Sequence, residues 1–210
     1  TMKNFTEWIK SDKKAIHVTE VSCLFDDGTL MDGYYEVEFP AENVKQIVAL
    51  SSYMVNWILM DDGTVQYVAP GYSKELDPEI SKTIAGWKDI VQIAAISGSK
   101  LYGLKSDGTV VACYQEKPVL EDVKEIHCLG SRWAALKKDG RVVPMWNAED
   151  DATGAYMAET WTDIDTLSLG ESHIVGLKDD GTVVAAGSNH CGQCDVEEWK
   201  DVVMVDAGIN

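Results

Sequence analysis

The sequence predicts an all-β fold, a five-bladed β-propeller of about 42-residue blades, and three observations predict it. One unit of 32 to 45 residues recurs along the 210-residue chain. Each copy runs apolar strand, polar turn, apolar strand, a turn ending in Asp-Gly, then a third strand. The two ends of the chain hold incomplete copies that complement each other. Self-similarity at this period is the mark of propellers and solenoids, in which one supersecondary unit buries its apolar face only against its neighbours. Five units lie inside the range that closes into a propeller.

Taken in order, residues 1–18 form an N-terminal extension in which Phe5, Trp8 and Ile9 share one side, which predicts a short helix packed on the propeller. Residues 19–210 form a single propeller domain. Thr19 to Asp32, TEVSCLFDDGTLMD, aligns with the chain from Ser172, so that Val21 matches Ile174, Leu24 matches Leu177 and Gly28 matches Gly181. That is a unit without its first strand. Trp199 to Gly208, WKDVVMVDAG, is a first strand that stops. Joining residues 19–43 with 199–210 makes a composite blade, closes the ring and pairs strand edges that otherwise invite aggregation. The internal blades are 44–86, 87–122, 123–160 and 161–198. Their Asp-Gly glycines, with that of the first unit, fall at 28, 63, 108, 140 and 181. An Asp-Gly pair between apolar strands predicts a two-residue hairpin turn with both residues at positive φ. No 12-residue loop ending in Glu surrounds these aspartates, so they are read as turn formers and not as calcium ligands.

Lys plus Arg number 18 against 35 Asp plus Glu, a formal charge of −17. Such a balance repels phosphate backbones and anionic lipid, which points away from nucleic acid and membrane partners. The N-terminus is too polar for a signal peptide, and no apolar run approaches the roughly 20 residues of a membrane span. The five cysteines (23, 113, 128, 191 and 194) are odd in number and irregular in spacing, which favours reduced thiols. These features predict a cytoplasmic monomer.

The four histidines are scattered, and His127 and Cys128 are strand neighbours whose side chains point to opposite faces. No catalytic residue, cofactor or metal is predicted. The one cluster of zinc or redox type is His190, Cys191 and Cys194, which lacks a fourth ligand. Trp87, Trp161 and Trp199 recur at one repeat position and so read as packing residues. Trp8, Trp57, Trp133 and Trp146 do not recur and read as the more informative about function. The turns between first and second strands are the expected binding loops, since rigid sheets hold them in place. Tyr53, Lys100, Arg132, Trp133 and His173 are the candidate partner-binding residues there. Two acidic, loop-like insertions, 69–82 and 147–159, extend blades two and four and offer a rim for a basic partner. The turns differ from blade to blade, which favours one large protein partner over a glycan or small molecule bound by a repeated pocket.

Trp-Lys-Asp-Ile-Val at 87–91, Gly-Leu-Lys with Asp-Gly-Thr-Val-Val at 176–184, and Gly-Ser-Asn with Gly-Gln-Cys at 187–194 resemble the regulator-of-chromosome-condensation repeat, in its compact bacterial version. The resemblance implies four-stranded blades and protein binding on one flat face. Members of the family range from a chromatin-binding nucleotide exchanger to a short-repeat β-lactamase inhibitory protein, so it implies no single activity.

Overall fold

A computed structural model describes residues 14–18, 22–32, 35–38, 42–50, 55–68, 75–97, 100–130, 132–145 and 152–208. These residues form five antiparallel sheets. The first is β1 (Ala15–Val18), β2 (Ser22–Phe25), β3 (Thr29–Asp32) and β4 (Tyr35–Glu38), in that order. The second is β5 (Val44–Leu50), β6 (Val55–Met60) and β7 (Val65–Val68). Helix α1 (Pro78–Ala85) precedes the third sheet, β8 (Ile90–Ser97), β9 (Lys100–Lys105), β10 (Val110–Ala112) and β11 (Gln115–Leu120). The fourth is β12 (Val123–Leu129), β13 (Arg132–Lys137) and β14 (Val142–Pro144), followed by a 3-10 helix, Ala155–Thr160. The fifth is β15 (Ile164–Leu169), β16 (His173–Lys178) and β17 (Val183–Gly187). The chain divides into two compact units, residues 1–106 with 111–117 and residues 107–110 with 118–210.

The turn between second and third strands is the best-defined element of the repeat. Gly28, Gly63, Gly108, Gly140 and Gly181 all have positive φ, between 78° and 96°. The preceding aspartates do not, which corrects the expected two-residue turn. Met60 N–H donates to the Thr64 carbonyl at 2.9 Å, and Gly63 N–H to the Met60 carbonyl at 3.0 Å. This is a three-residue Asp-Asp-Gly loop: a turn closed by a glycine in the left-handed bulge position. The middle aspartate accepts from the amide two residues on, as Asp62 does from Thr64 (2.9 Å), Asp107 from Thr109 (2.8 Å) and Asp180 from Thr182 (2.9 Å). Asx bonds of this kind explain why aspartate recurs there.

A second repeated strain point answers the first. Asn43, Asp89, Asp122, Asp163 and Asp201 all lie in the left-handed region, φ 55° to 65°, the first four immediately before a first strand. Asn and Asp tolerate that region better than other non-glycine residues. The kink lets the following amide reach back to the previous repeat's glycine: Val123 to Gly108 (2.9 Å), Ile164 to Gly140 (3.1 Å) and Val202 to Gly181 (3.1 Å). The kinked residue's carbonyl accepts from its own repeat, as Asp89 does from Ser106 (2.9 Å) and Asp122 from Lys138 (2.9 Å). The joints at Asp122 and Asp163 are thus closed by backbone bonds on both sides.

Apolar side chains fill the space between sheets. In the first unit Trp57, Leu59, Ile84, Trp87, Ile90, Ile93 and Leu101 form one cluster. In the second, Ala134, Leu136 and Val142 meet Ile164, Leu167, Leu169 and Ile174. The repeated tryptophans need a glycine opposite: a Cβ on Gly103 would sit 2.9 Å from Trp87 Cζ3, and one on Gly176 3.0 Å from Trp161 Cζ3. Where the repeat has no tryptophan, at Leu120, the equivalent strand position is Ala135.

Three expectations are revised. The N-terminal sheet is not a unit without a first strand: Ala15–Val18, placed in the N-terminal extension above, pairs with β2 in register His17 with Leu24. Correspondingly, 199–208 belongs to no strand pair among the described residues, so the expected composite of 19–43 with 199–210 is not formed there. The 69–82 insertion is not simply loop. Asp77 caps α1 by accepting from the Glu79 amide at 2.9 Å, with proline at the first helical position and Ile84 buried against Trp57 and Trp87. The helix expected near Phe5, Trp8 and Ile9 lies outside the described residues, and no described helix is long and apolar enough to cross a membrane.

Gly140 and Gly154 separate the joint from simple backbone strain. Gly140→Ala sets a Cβ 3.1 Å from Asp163 and Ile164, whereas Gly154, φ 83°, has nothing within 4 Å. Gly140→Ala should therefore cost more than about 1 kcal/mol and clearly more than Gly154→Ala, measured by urea unfolding. Equal losses would mean that the close approach at the joint contributes nothing.

Candidate functional site

Three of the candidate residues occupy one register position. Lys100, Arg132 and His173 are each the first residue of a second strand, immediately before the paired residues Leu101–Ala95, Trp133–Cys128 and Ile174–Leu169. Their surroundings differ. Lys100 is exposed, with Nζ 5.9 Å from the centre of the Tyr114 ring. Tyr114 is 45% exposed and meets the buried Tyr102 edge-on, ring centroids 5.8 Å apart and hydroxyls in contact. The buried ring holds the exposed one in place, and the ammonium adds about 0.5–1 kcal/mol of cation–π attraction. Tyr102 and Tyr114 were not picked out by sequence. Their signal is pairing across adjacent strands, which a single strand's pattern does not carry.

Arg132 is half-buried. Trp133 is 3% exposed and His173 4%. Neither can offer a contact surface, and both are corrected to supports of the turns they flank. His173 Nδ1 is buried without a hydrogen-bond partner, and its carbonyl accepts from the Gly170 amide at 2.9 Å. Burial pulls its pKa below the usual histidine value. Trp57 is also core, fully buried with its ring 4.9 Å from that of Tyr67, which revises its reading as a functional residue. Tyr53, Trp8 and Trp146 lie outside the described residues.

Adjacent first strands are tied by polar side chains. Gln46 accepts from the Ile93 amide at 2.8 Å and donates to its carbonyl at 3.0 Å. In the second unit Lys124 pairs with Asp165 at 2.7 Å, an exposed bridge of about 0–1 kcal/mol. Glu125 accepts from His127 (3.1 Å) and Thr166 (3.4 Å), and the His127 bond foremost lowers its pKa.

The loop after β17 is held by its own side chains. Asn189 accepts from the Cys194 amide and donates to Asp195, at 2.8 and 2.7 Å, while Gln193 accepts from the Cys191 amide at 2.8 Å. The Cys194 thiol donates to the Ser188 carbonyl at 3.3 Å, and burial, then Asp195, raises its pKa. A raised thiol pKa is the opposite of what a reactive or metal-binding cysteine needs. Among the described residues no three His, Cys, Asp or Glu side chains are placed to hold a metal ion.

Residues 164–193, which run from the first residue of β15 into this loop, match the family profile of the regulator of chromosome condensation (RCC1) repeat. Residues 164–193 thus form one repeat of the RCC1 type. The fold of the chain is similar to that of Prp20p from Saccharomyces cerevisiae, with a TM-score of 0.59, 14% identity, and coverage of 93% of this chain and 67% of that one. A further structure of yeast RCC1 (Prp20), bound to Kap60, gives 0.56 at 14% identity over 91% of this chain and 60% of that one. Human WBSCR16 gives 0.53 at 12% identity over 90% and 67%. The chain therefore spans about two thirds or less of the length of these propellers. No curated protein matches it significantly in sequence. Within the matched segment, Asn189 and Gln193 act as loop formers.

Two measurements check the supporting roles. Trp133→Ala should cost about 3–5 kcal/mol in unfolding free energy, as for a buried aromatic, whereas Lys100→Ala should cost no more than about 1 kcal/mol, the size of its attraction to the Tyr114 ring. Because the pKa of His173 is lowered on folding, the unfolded chain binds the proton more tightly. Its contribution is present above the ordinary histidine pKa near 6.5 and is lost as pH falls through that value toward the folded one. His173→Gln should remove that part of the slope in urea titrations between about pH 5 and 7.5; an unchanged slope would rule the buried imidazole out as its source.

Proposed function

We propose that this chain is a non-catalytic protein-binding propeller that presents an acidic, aromatic-containing face to a partner protein. The observation that carries the reading is the Lys100–Tyr114 pair. An exposed aromatic and a cation are held in fixed geometry by a buried tyrosine, at a position where the equivalent residues of the other sheets differ. A preorganised tyrosine is favoured near the centre of protein interfaces, because little conformational entropy remains to be lost on binding. Similar propellers are described with protein partners: Prp20p with Gsp1p and histones, and yeast RCC1 (Prp20) with Kap60. The charge of −17 favours a basic partner by steering its approach.

Affinity capture from lysate identifies the partner, and titration against it tests the surface. Lys100→Ala with Tyr114→Ala should weaken binding by about tenfold or more while leaving the unfolding midpoint near that of the wild type. The association rate should fall steeply between low and high salt. A partner bound equally by both proteins would refute this surface, and a salt-independent rate would refute the steering.

A further inference from the structure

His173 sits among three glycines. A Cβ on Gly170 would lie 2.3 Å from His173 Cε1 and 2.5 Å from its Nδ1. Gly187 pairs with His173 across the sheet at φ 124°, and a Cβ there would lie 2.6 Å from His173 Cα. The Gly208 carbonyl oxygen would lie 2.7 Å from that same Gly170 Cβ, so the imidazole edge and this carbonyl meet over one glycine. His173 is 4% exposed, and its Nδ1 has no hydrogen-bond partner. Segment 202–208 is therefore one wall around a buried, unpartnered and titratable nitrogen.

The walls are held unequally. His173 itself belongs to β16, which is laddered on both sides, to β15 and to β17. Segment 202–208 is docked by the Val202 amide on the Gly181 carbonyl (3.1 Å) and by the Ala207 amide on Ser168 Oγ (2.9 Å). The Ser168 hydroxyl donates in turn to Asp206 at 3.0 Å. Val202, Val205 and Ala207 add packing on Val175, Leu177 and Val183. This wall gives way before the ladders do, because fewer backbone bonds must break.

An unpartnered nitrogen is tolerated there while the ring is neutral. Protonation makes Nδ1 a donor and buries a charge. Titratable side chains on the elements around His173 are Glu171 in the preceding turn, His190 and Asp195 in the loop after β17, and Asp206 in the docked segment. All four are exposed, and Asp195 and Asp206 already accept from Asn189 and Ser168. Lys178 and Asp165 lie at the opposite ends of their strands. Burial is the cause that lowers the His173 pKa. The proton therefore binds more tightly once the wall is open, and acid shifts the equilibrium that way.

We infer that His173 is a pH-sensitive latch for segment 202–208: neutral it keeps the segment docked, and protonated it releases the segment and uncovers Val175, Leu177 and Val183 of the fifth sheet. The latch is separate from the Lys100–Tyr114 surface, so either can fail without the other.

The test is hydrogen exchange of the full chain between about pH 7.5 and 5, corrected for the intrinsic exchange rate. Protection of the Val202 and Ala207 amides should fall by up to about tenfold per pH unit below about pH 6.5, while the ladder amides of β12 and β13 keep theirs. His173→Gln should make protection of the segment independent of pH. Asp206→Asn, which keeps an acceptor for Ser168, should leave the dependence in place. In the wild type, which needs no variant to fold, the His173 Cε1 proton and the amide resonances of 202–208 should titrate with one midpoint below about 6.5. The latch is overturned by flat protection, by separate midpoints, or by equal loss in β12 and β13. It is also overturned if Asp206→Asn abolishes the dependence or His173→Gln retains it. Protection that rises in acid would do the same, because the Gly208 carbonyl would then be holding the proton.

Discussion

The contact between an Asp-Gly turn and the left-handed Asp or Asn of the next repeat is the constraint on which the sheets depend. Gly140 shows why both halves are needed. A side chain there would meet the backbone of Asp163 and Ile164, and without the kink at Asp163 the Ile164 amide would not reach the Gly140 carbonyl. Each half is mildly unfavourable alone, since positive φ narrows the choice of residue. Together they satisfy backbone groups that would otherwise be buried unpaired, and they set where each first strand begins.

Given that start, packing follows from pairs of residues in different strands. A tryptophan before the first strand requires a glycine in the second, and where the tryptophan is absent the space is filled by Ala135. The same logic separates support from surface among the candidates. Trp57 and Trp133 do not recur in the repeat, yet both are core. Failure to recur is therefore a poor guide to exposure. Tyr114 and Lys100 are exposed because Tyr102 fills the space behind them.

The acidic charge lies over this frame and adds little to its stability. Exposed pairs such as Lys124–Asp165 contribute modestly. A scaffold held together largely by backbone joints and glycine-indole pairs leaves its turns free to vary.

By itself the sequence determined the repeat, the all-β character, the Asp-Gly turns and the structural role of Trp87 and Trp161. These rest on local rules, on periodicity and on residues with narrow backbone preferences. The capped helix at Pro78–Ala85 was also legible in Asp77-Pro78, although the acidic run around it reads as loop. Only the tertiary structure decided the burial of Trp133 and His173 and the pairing of Ala15–Val18 with β2. The Ala15–Val18 strand lacks the Trp-x-Asp signature that precedes Ile90–Ser97 and Ile164–Leu169. Burial depends on which strand comes to lie opposite, and that information is spread over residues distant in the chain.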